Sequence, residues 1–398
     1  MRVQMLTSSF PRYKGDSLAP FVFELSRHLV QRKIIVTVLS PQYPGCTRTE
    51  VMQGVKIERF FYFLPHSRQD LASGFMPALL QTSNFHRMML LPYLLSAFLN
   101  LQARVHNADI IHSQWGFPSG LIASRVRTKK PHVISVHGVE VLLARKMWFM
   151  RTPLVNTFQK ADLIITNSHF TTQQLFSLGK IDTPVKIIPS GVDTAIFKPY
   201  SVRDAQERLN LPDRPTILFV GRLIERKGVH ILIKALEQVH KQIEDVLLLI
   251  VNDGPEKGRL LGLTEKLDLK DNVKFCGRVP HTQLPDYYNA CDIFVNPSII
   301  DKVGDTEGLG VSILEAMASG KPAVVSKVGG ITTILRYKGA VGVPPAKPEV
   351  LASKIIELLE DPLQRKHIGD NAVKTIKENF SWPILAQKFE QAYKSLQN

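Results

Sequence analysis

Two hydrophobic patterns alternate along the chain: short continuous apolar runs, and longer segments with apolar residues at helical spacing. Continuous β-branched runs are typical of parallel strands that are buried on both faces. A helix is predicted over Leu18–Gln31, where apolar side chains fall on one face. In the first half the continuous runs predict strands at Val3–Thr7, Ile34–Leu39, Asp109–Ile111, His132–Val136, Asp162–Thr166 and Val185–Ile188.

The alternation restarts after a charged, proline-bearing segment that we interpret as a linker between domains. Beyond it, continuous runs predict strands at Thr216–Val220, Val246–Val251, Val273–Phe275, Ile293–Asn296 and Ala323–Ser326. Helical spacing between those strands predicts helices at Val229–His240, near 257–267, and at Leu284–Asn289 and Val311–Ser319. Each half therefore consists of βα units.

Two βα-alternating halves predict an α/β fold of two Rossmann-like, doubly wound domains that face each other across a cleft. A chain of 398 residues is also long for a single core. Ligands of such sheets bind at the carboxyl ends of the strands. The predicted segments are an N-terminal domain at 1–197, a linker at 198–214, a C-terminal domain at 215–380 and an amphipathic helix at 381–398 that returns to the first domain.

The positive charge is concentrated in the first half. Residues 1–200 contain 23 Lys and Arg and 10 Asp and Glu, whereas residues 201–398 contain 27 and 25, so the net charges are +13 and +2. A basic half suggests an anionic partner such as a membrane surface or a phosphorylated acceptor. A basic surface that serves only solubility is the alternative. Nucleic acid is not expected, because no recognition module is present.

Several classes of protein lose support from what the sequence lacks. Three cysteines without pairing or metal spacing fit a reducing compartment. No signal-peptide pattern and no apolar run of about 18 residues is found, which favours a cytoplasmic protein. Neither a GxGxxG nor a P-loop motif occurs, so a dinucleotide dehydrogenase or a P-loop NTPase is not indicated.

Two stretches of the first half are strongly apolar and flanked by cations, Met88–Leu99 and Val141–Arg151. Either could lie at a bilayer interface with its cations on lipid headgroups. The first is equally typical of a core helix, and the second of a packed loop. For the first stretch we favour the core, and for the second a membrane or acceptor surface.

The stretch from Asp305 to Met317 carries the clearest chemistry. Glu307 is expected on a loop after a strand, and Glu315 inside the helix that follows. The glycines at 308 and 310 would let a ligand approach the N–H groups of the helix start, which is a natural phosphate site. A carboxylate further along that helix could accept two hydrogen bonds from a ribose diol. This arrangement predicts a nucleoside diphosphate that carries a sugar.

A second loop supplies cations. The strand that ends at Val220 is followed by Gly221 to Gly228, and this loop contains Arg222 and Lys227. Two cations fixed at the carboxyl edge of a sheet suit a diphosphate, whose negative charge increases when its bond to a sugar breaks.

Together these motifs resemble glycosyltransferase family 4, whose members have the GT-B fold, over essentially the whole chain. The resemblance rests on their joint order and spacing: Val136–Glu140, Ile188–Asp193, Gly221–Gly228, Asn252–Pro255, Phe275–Val279, Asn296–Ser298, Glu307–Glu315, Gly320–Pro322 and Gly329–Gly330. The first-domain loop departs from the family pattern, because Lys14-Gly15-Asp16 stands where many relatives have two adjacent glycines.

The resemblance implies a retaining hexosyltransferase that uses a nucleoside-diphosphate sugar without a bound metal or other cofactor. His137 would sit beside the transferred sugar and Glu307 would bind its hydroxyl groups, while Glu315 would hold the ribose. The base would contact the backbone at Arg278 and Val279. The diphosphate would be bound by Arg222, Lys227, Gly15 and the backbone of Gly308, Leu309 and Gly310.

The expected reaction is a front-face substitution in which the departing phosphate takes the acceptor's proton. Glu307 as a covalent nucleophile is the alternative mechanism. The acceptor is expected to be a growing glycan, lipid-linked or otherwise membrane-associated, met at the cytoplasmic face of the membrane through the basic N-terminal domain. A nucleotide-sugar 2-epimerase and a non-catalytic polyanion-binding protein remain alternative functions on the same fold.

Overall fold

The computed structural model describes residues 1–13, 15–16, 18–71, 73 and 76–397, without the side chains of residues 77 and 78. The chain forms two compact units. Unit 1 contains Met1–Pro189 and the C-terminal residues from Leu385 onward, and unit 2 is Ser190–Ile384. Each unit is an α/β domain with a Rossmann-like core, as predicted.

The sheet of unit 1 has eight strands in the described residues, in the order β3-β4-β2-β1-β5-β6-β7-β8. All neighbouring strands are parallel except β3, which runs antiparallel to β4 at the edge. The strands are β1 Arg2–Leu6, β2 Ile35–Pro41, β3 Thr49–Met52, β4 Val55–Phe60, β5 Ile110–Gln114, β6 His132–Val136, β7 Leu163–Thr166 and β8 Val185–Ile187. The helices are α1 Pro20–Gln31, α2 Met76–Thr82, α3 Asn84–Gln102, α4 Leu121–Ala123, α5 Val139–Lys146, α6 Trp148–Gln159 and α7 His169–Phe176.

The sheet of unit 2 is entirely parallel, and its six described strands have the order β11-β10-β9-β12-β13-β14. They are β9 Thr216–Val220, β10 Leu247–Val251, β11 Val273–Gly277, β12 Ile293–Asn296, β13 Ala323–Ser326 and β14 Ala340–Val343. The helices are α8 Val202–Arg208, α9 Val229–His240, α10 Lys257–Lys266, α11 Leu284–Ala290, α12 Val311–Ala318, α13 Ile331–Ile334, α14 Pro348–Glu360 and α15 Pro362–Thr375.

Strand β9 shows why a continuous apolar run forms a central parallel strand. Leu218 and Val220 belong to one hydrophobic core, and Ile217 and Phe219 belong to another. Because side chains alternate along a strand, these two cores lie on opposite faces of the sheet. Helices that cover both faces leave the strand ends as the place where polar groups can meet a ligand.

Residues 198–214, predicted to be a linker, are part of unit 2 and contain helix α8. The hydroxyl of Tyr200 donates to Asp286 Oδ1 over 2.5 Å, and Arg208 pairs with the same carboxylate at 3.0 Å. Asp286 belongs to α11, so α8 packs on that helix. The charged residues that suggested a linker are therefore the polar side of a docked helix.

The last helix, α16 Trp382–Lys394, begins in unit 2 and ends in unit 1. Its Tyr393 is fully buried in unit 1. Asn398, the end of the terminal segment predicted from the sequence, lies outside the described residues. Within the described ranges, no helix has the length and the apolar character that crossing a membrane requires.

Candidate active site

The predicted diphosphate site lies at the topological switch point of unit 2. Strand β9 has β10 on one side and β12 on the other, so the helices that follow β9 and β12 lead in opposite directions. Ligands of open α/β sheets bind at such a point, outside the carboxyl ends of the strands. The Gly221–Gly228 loop follows β9, and the loop that carries Glu307 follows β12.

These two loops are joined by close backbone contacts. The N–H of Ile299 donates to the carbonyl of Arg226 at 2.8 Å. Gly228 has φ +65°, and a Cβ atom there would come within 2.0 Å of the carbonyl oxygen of Pro297. Only glycine tolerates both the left-handed backbone and this approach. The glycine at 228 therefore sets how closely the cations of the first loop approach the acids of the second.

Lys227 and Glu307 form an ion pair at the junction of the loops. Arg226 Nη1 lies 3.4 Å from the same carboxylate oxygen, and Arg226 Nε lies 3.4 Å from Asp305. Burial alone would raise the pKa of Glu307, but the charges of Lys227 and Arg226 outweigh that effect and lower it. Glu307 is thus an anion at neutral pH, ready to accept hydrogen bonds from hydroxyl groups.

The start of helix α12 adjoins this cluster. Gly310 precedes the helix with φ +88°, and a Cβ atom there would lie 3.6 Å from Cγ of Glu307. Gly308 is half-buried and Leu309 is buried. The first N–H groups of a helix have no partner within the helix and attract anions. The loop therefore offers backbone donors next to the paired cations.

Arg222 differs from Lys227 in being exposed and, among the described residues, unpaired. Its side chain is exposed, and its guanidinium makes no ion pair or hydrogen bond with the residues that the structure describes. It follows β9 directly, two residues after the strand ends. An exposed cation at this edge can neutralise a phosphate at no cost to an existing ion pair.

Glu315 lies on α12 and is held by a neighbouring side chain. The hydroxyl of Tyr288, on α11, donates to Glu315 Oε2 over 2.6 Å. Burial raises the pKa of Tyr288 well above its ordinary value, and the Glu315 carboxylate raises it further. Oε1 of Glu315 is 3.8 Å from Nε2 of His281. One carboxylate oxygen is thus fixed by Tyr288, while the other faces a half-exposed histidine.

Arg278 and Val279 follow β11, one of the two edge strands in the described sheet of unit 2. Arg278 is exposed, whereas Val279 packs against the core that contains Leu218 and Val220. The main chain before them is anchored, because the N–H of Asn252 donates to the carbonyl of Gly277 at 2.7 Å. Their contact with a base stays a prediction.

Gly15 lies in unit 1, on the loop between β1 and α1, with φ +89° and open space where a Cβ atom would lie. The loop is braced by Asp16, which accepts from the backbone N–H of Arg12 at 3.0 Å and from its Nε at 2.6 Å. Burial raises the pKa of Asp16, and hydrogen bonds from Arg12 lower it by more. Lys14, part of the departure from the family pattern, lies outside the described residues.

His137 follows β6 in unit 1 and is held by the end of β5. Its Nε2 is 3.0 Å from Oε1 of Gln114, and its backbone N–H donates to Glu140 Oε1 at 3.2 Å. The ring lies against Phe21 and Trp115, with centroid distances of 4.7 and 5.2 Å. Burial lowers the pKa of His137 to about 4, so the imidazole is neutral at neutral pH.

Gln114 extends this contact into a buried polar chain. Its Nε2 is 3.3 Å from Nε2 of His112, whose Nδ1 is 2.8 Å from the hydroxyl of Tyr393 on α16. Burial lowers the pKa of His112 to about 3, with a further contribution from His137. Nε2 of the neutral His112 can accept from the Ser135 hydroxyl, 2.8 Å away, and from the Gln114 amide, which leaves the amide oxygen of Gln114 facing His137.

Sequence reasoning missed Arg226, Tyr288, Gln114 and Glu140. Gln114 could have been found, because it ends a strand next to the one that His137 follows. Arg226 stands between the two predicted cations, but nothing in the pattern shows that it reaches Glu307. Within the described ranges, no group of three or more His, Cys, Asp and Glu side chains is arranged to hold a metal ion.

Known proteins match both halves of the chain. Residues 18–196 match the family model described as Glycosyltransferase Family 4, and residues 201–375 match the one described as Glycosyl transferases group 1. Together these two matches cover strands β2 to β14, and they leave β1 and the loop that carries Gly15 outside.

Two relatives are named as GDP-mannose-dependent mannosyltransferases. A GDP-mannose-dependent alpha-(1-6)-phosphatidylinositol monomannoside mannosyltransferase of Mycolicibacterium smegmatis is 31% identical over 258 residues, which are 63% of this chain and 66% of that protein. A GDP-mannose-dependent monoacylated alpha-(1-6)-phosphatidylinositol monomannoside mannosyltransferase of Corynebacterium glutamicum is 31% identical over 272 residues, 66% of this chain and 70% of that protein. Among solved structures, sucrose-phosphate synthase of Thermosynechococcus elongatus has a TM-score of 0.79 at 24% identity, covering 100% of this chain and 99% of that one.

Proposed function

The chain belongs to the family-4, group-1 glycosyltransferases, and from that membership we propose that it transfers a hexose from a nucleoside-diphosphate sugar to a glycan acceptor with retention of configuration. Transfer from a nucleotide sugar follows from the family. Retention, the identity of the hexose and the acceptor are our proposal. Two relatives are named for GDP-mannose, so GDP-mannose is the first donor to test.

The observation that carries the proposal is the junction of the two loops in unit 2. The two loops follow β9 and β12 and contact each other at the carboxyl ends of these strands. They carry the exposed Arg222, the Lys227 that pairs with Glu307, and the start of α12. A diphosphate needs cations and N–H donors, and a sugar needs a carboxylate acceptor. These are the groups that the junction combines.

In the proposed reaction the bond between the anomeric carbon and the diphosphate breaks while the acceptor oxygen attacks from the same face. The departing phosphate oxygen takes the proton of the acceptor hydroxyl. Arg222, Lys227 and the N–H groups at the start of α12 stabilise the negative charge that develops on the diphosphate. Glu307 holds hydroxyl groups of the donor sugar, and Glu315 those of the ribose.

We further propose that the cations replace a divalent metal in this role, so that turnover does not depend on added metal. His137 and Gly15 stay predictions from the sequence. The pairing of Glu307 with Lys227 supports a hydrogen-bonding role over that of a covalent nucleophile, because a carboxylate whose charge is already stabilised is a weaker nucleophile.

The proposed acceptor rests on the names of two relatives and on the charge of the first half of the chain. The names of the two relatives indicate mannosylated lipids, and the +13 charge of residues 1–200 suits an anionic membrane. We therefore propose a lipid-linked glycan, reached by peripheral contact between unit 1 and the membrane.

The test is a thermal-shift and product assay with GDP-, UDP- and ADP-sugars. We expect one nucleoside diphosphate to stabilise the protein strongly, by about 2.7 kcal/mol at a concentration a hundredfold above its Kd. Slow hydrolysis of the matching sugar donor indicates a transferase, an isomerised sugar a 2-epimerase, and binding without turnover a polyanion-binding protein. An arm with a chelator tests independence from metal.

Arg222→Ala should abolish the stabilisation without loss of fold, because the side chain is exposed and has no partner among the described residues. Arg203→Ala, which removes an exposed arginine of α8, is the matched control and should leave the shift unchanged. A full shift in Arg222→Ala would show that the diphosphate assignment is wrong.

A further inference from the structure

Helix α3 is apolar on two opposite sides. Its buried stripe is Met89, Tyr93, Ala97 and Leu101. A second stripe, Met88, Leu91, Leu95 and Leu99, is between 55% and 73% exposed. At 100° per residue the second stripe spans an arc of about 80° on the side opposite the first, and it is about 16 Å long. A soluble helix normally turns polar residues to this side.

A second group of exposed apolar residues lies at the start of helix α6. Trp148 is 83% exposed, and Phe149 packs edge-on against it with a centroid distance of 6.4 Å. An apolar groove runs from this point, lined by Phe117, Leu121, Phe149, Met150, Pro153 and Leu154. Large exposed apolar side chains that adjoin a groove mark a binding surface rather than scattered exposure.

The two groups lie on the same side of unit 1. Ser113 of β5 pairs with Ile134 of β6, so Ile111 and Ile134 point to the same face of the sheet. Ile111 packs in the core beneath α3, and Ile134 packs in the core beneath α6. Short helix α4 contacts both α3 and α6. We call the exposed stripe, Trp148 and the groove the apolar face of unit 1.

The charge around this face is of one sign. From Asn84 to Lys160 the chain has ten Lys and Arg and two acids, Asp109 and Glu140. Asp109 is bound to Arg2 at 3.1 Å, and Glu140 is buried. The cations that adjoin the apolar residues in sequence are exposed: Arg87, Arg145, Lys146 and Arg151.

We infer that the apolar face of unit 1 inserts into the interfacial layer of an anionic bilayer, with Leu91, Leu95 and Trp148 among the acyl chains and the flanking cations on headgroups. Apolar insertion together with cationic contact is the combination by which a peripheral surface holds an anionic membrane. A second copy of the chain is a poorer occupant, because the same excess of cations would face itself. The inference rests on the proposed lipid-linked acceptor and names the residues that bring the enzyme to it.

The experiment is flotation of the full chain with phosphatidylcholine vesicles, with and without phosphatidylglycerol. We expect binding that needs phosphatidylglycerol. Leu91→Gln/Leu95→Gln should weaken it at least about tenfold, because two inserted leucines are lost. Leu261→Gln/Leu363→Gln, which changes two exposed leucines of unit 2, is the matched control and should bind as the unmodified chain does.

Tryptophan emission reports insertion directly. Trp148 is exposed, Trp115 is half-buried and Trp382 is buried, so a blue shift on adding vesicles should come from Trp148. It should vanish in Trp148→Phe. Failure to bind anionic vesicles, equal binding by the Leu91/Leu95 variant, or a dimer in sedimentation that this variant abolishes would each overturn the inference. A nucleotide-induced thermal shift, measured on the same preparations, shows separately whether the proposed function stands.

Discussion

Gln114 holds the imidazole of His137 by a single hydrogen bond of 3.0 Å. Since the amide oxygen of Gln114 faces Nε2, the ring must carry its proton there, and Nδ1 is left as an acceptor. Gln114 is thus a positioning residue, and the chain that continues through His112 to Tyr393 determines which way its amide points.

We predict that His137 is the Nε2–H tautomer in the full chain, which long-range proton–nitrogen NMR reports directly, with His137→Asn to assign the signal. Gln114→Leu should shift the ring toward the other tautomer. Gln114→Glu should raise the pKa of His137 by about one to three units, because a carboxylate stabilises the charged ring. Finding the proton on Nδ1 in the unmodified chain would refute this role of Gln114.

At this scale, the sequence predicts which side chains stand near the strand ends but not how they pair. Lys227 and Glu307 were each predicted from a loop next to a strand end, but their ion pair depends on how the two loops pack. Arg226 reaches Glu307 and Tyr288 reaches Glu315 because of the length and direction of their side chains. The spacing of residues along the sequence does not reveal either contact.

The contact of Gly228 with Pro297 is a property of two elements, the loops after β9 and β12. Gly228→Ala would place a Cβ atom 2.0 Å from the Pro297 carbonyl oxygen on a backbone with φ +65°. We predict a loss of stability of more than about 1 kcal/mol, together with weaker nucleotide binding, because the loops must separate.

Gly262→Ala is the matched control for Gly228→Ala, because a Cβ atom at Gly262 would make no such contact. It lies in α10, is exposed, and has open space around a Cβ atom. This substitution should stabilise the protein by about 0.5–1 kcal/mol in thermal unfolding. If both alanine variants unfolded at the same temperature, the close contact of the loops would be without consequence.

Elements with a continuous apolar run were predicted with the bounds observed, as for β6, β9, β12 and β13. Strand β4 was missed because Lys56, Glu58 and Arg59 interrupt its apolar residues, and β14 because a glycine interrupts its apolar run. Neither sequence shows the continuous apolar run by which a parallel strand buried on both faces is predicted.

For the two long apolar–cationic stretches, hydrophobic spacing does not predict which side of the helix is buried. Met88–Leu99 is a core helix and an exposed stripe at once, so the two interpretations were not exclusive. Val141–Arg151 is the end of α5 and the start of α6, so the alternative of a packed loop is wrong, and the membrane or acceptor surface that we favoured stays a prediction. A helix with apolar residues on every side gives no periodic signal from which to choose the buried side.

For the whole molecule, the buried histidines of unit 1 make stability depend on pH. Burial lowers the pKa of His112 to about 3, and that of His132 to about 4, from an unfolded value near 6.5. Below pH 6.5 the unfolded chain takes up protons that the folded chain refuses. Stability is therefore complete above that pH and falls as the pH drops toward 4.

We predict a loss of up to about 1.4 kcal/mol per pH unit for each of these histidines between pH 6 and 4.5. Denaturant unfolding at a series of pH values measures the slope, and His132→Asn should reduce it. An unfolding free energy that stayed constant from pH 7 to 5 would mean that the imidazoles protonate without unfolding.

The return of α16 to unit 1 has a consequence for how the protein is made. Tyr393 completes the buried chain that ends at His137, yet it is synthesised after all of unit 2. When the first 189 residues have emerged from the ribosome, they form an unfinished sheet domain, whose His112 lacks the hydroxyl of Tyr393. Unit 2, in contrast, needs only a contiguous stretch of the chain. Unit 1, although first in the sequence, is the later of the two to mature.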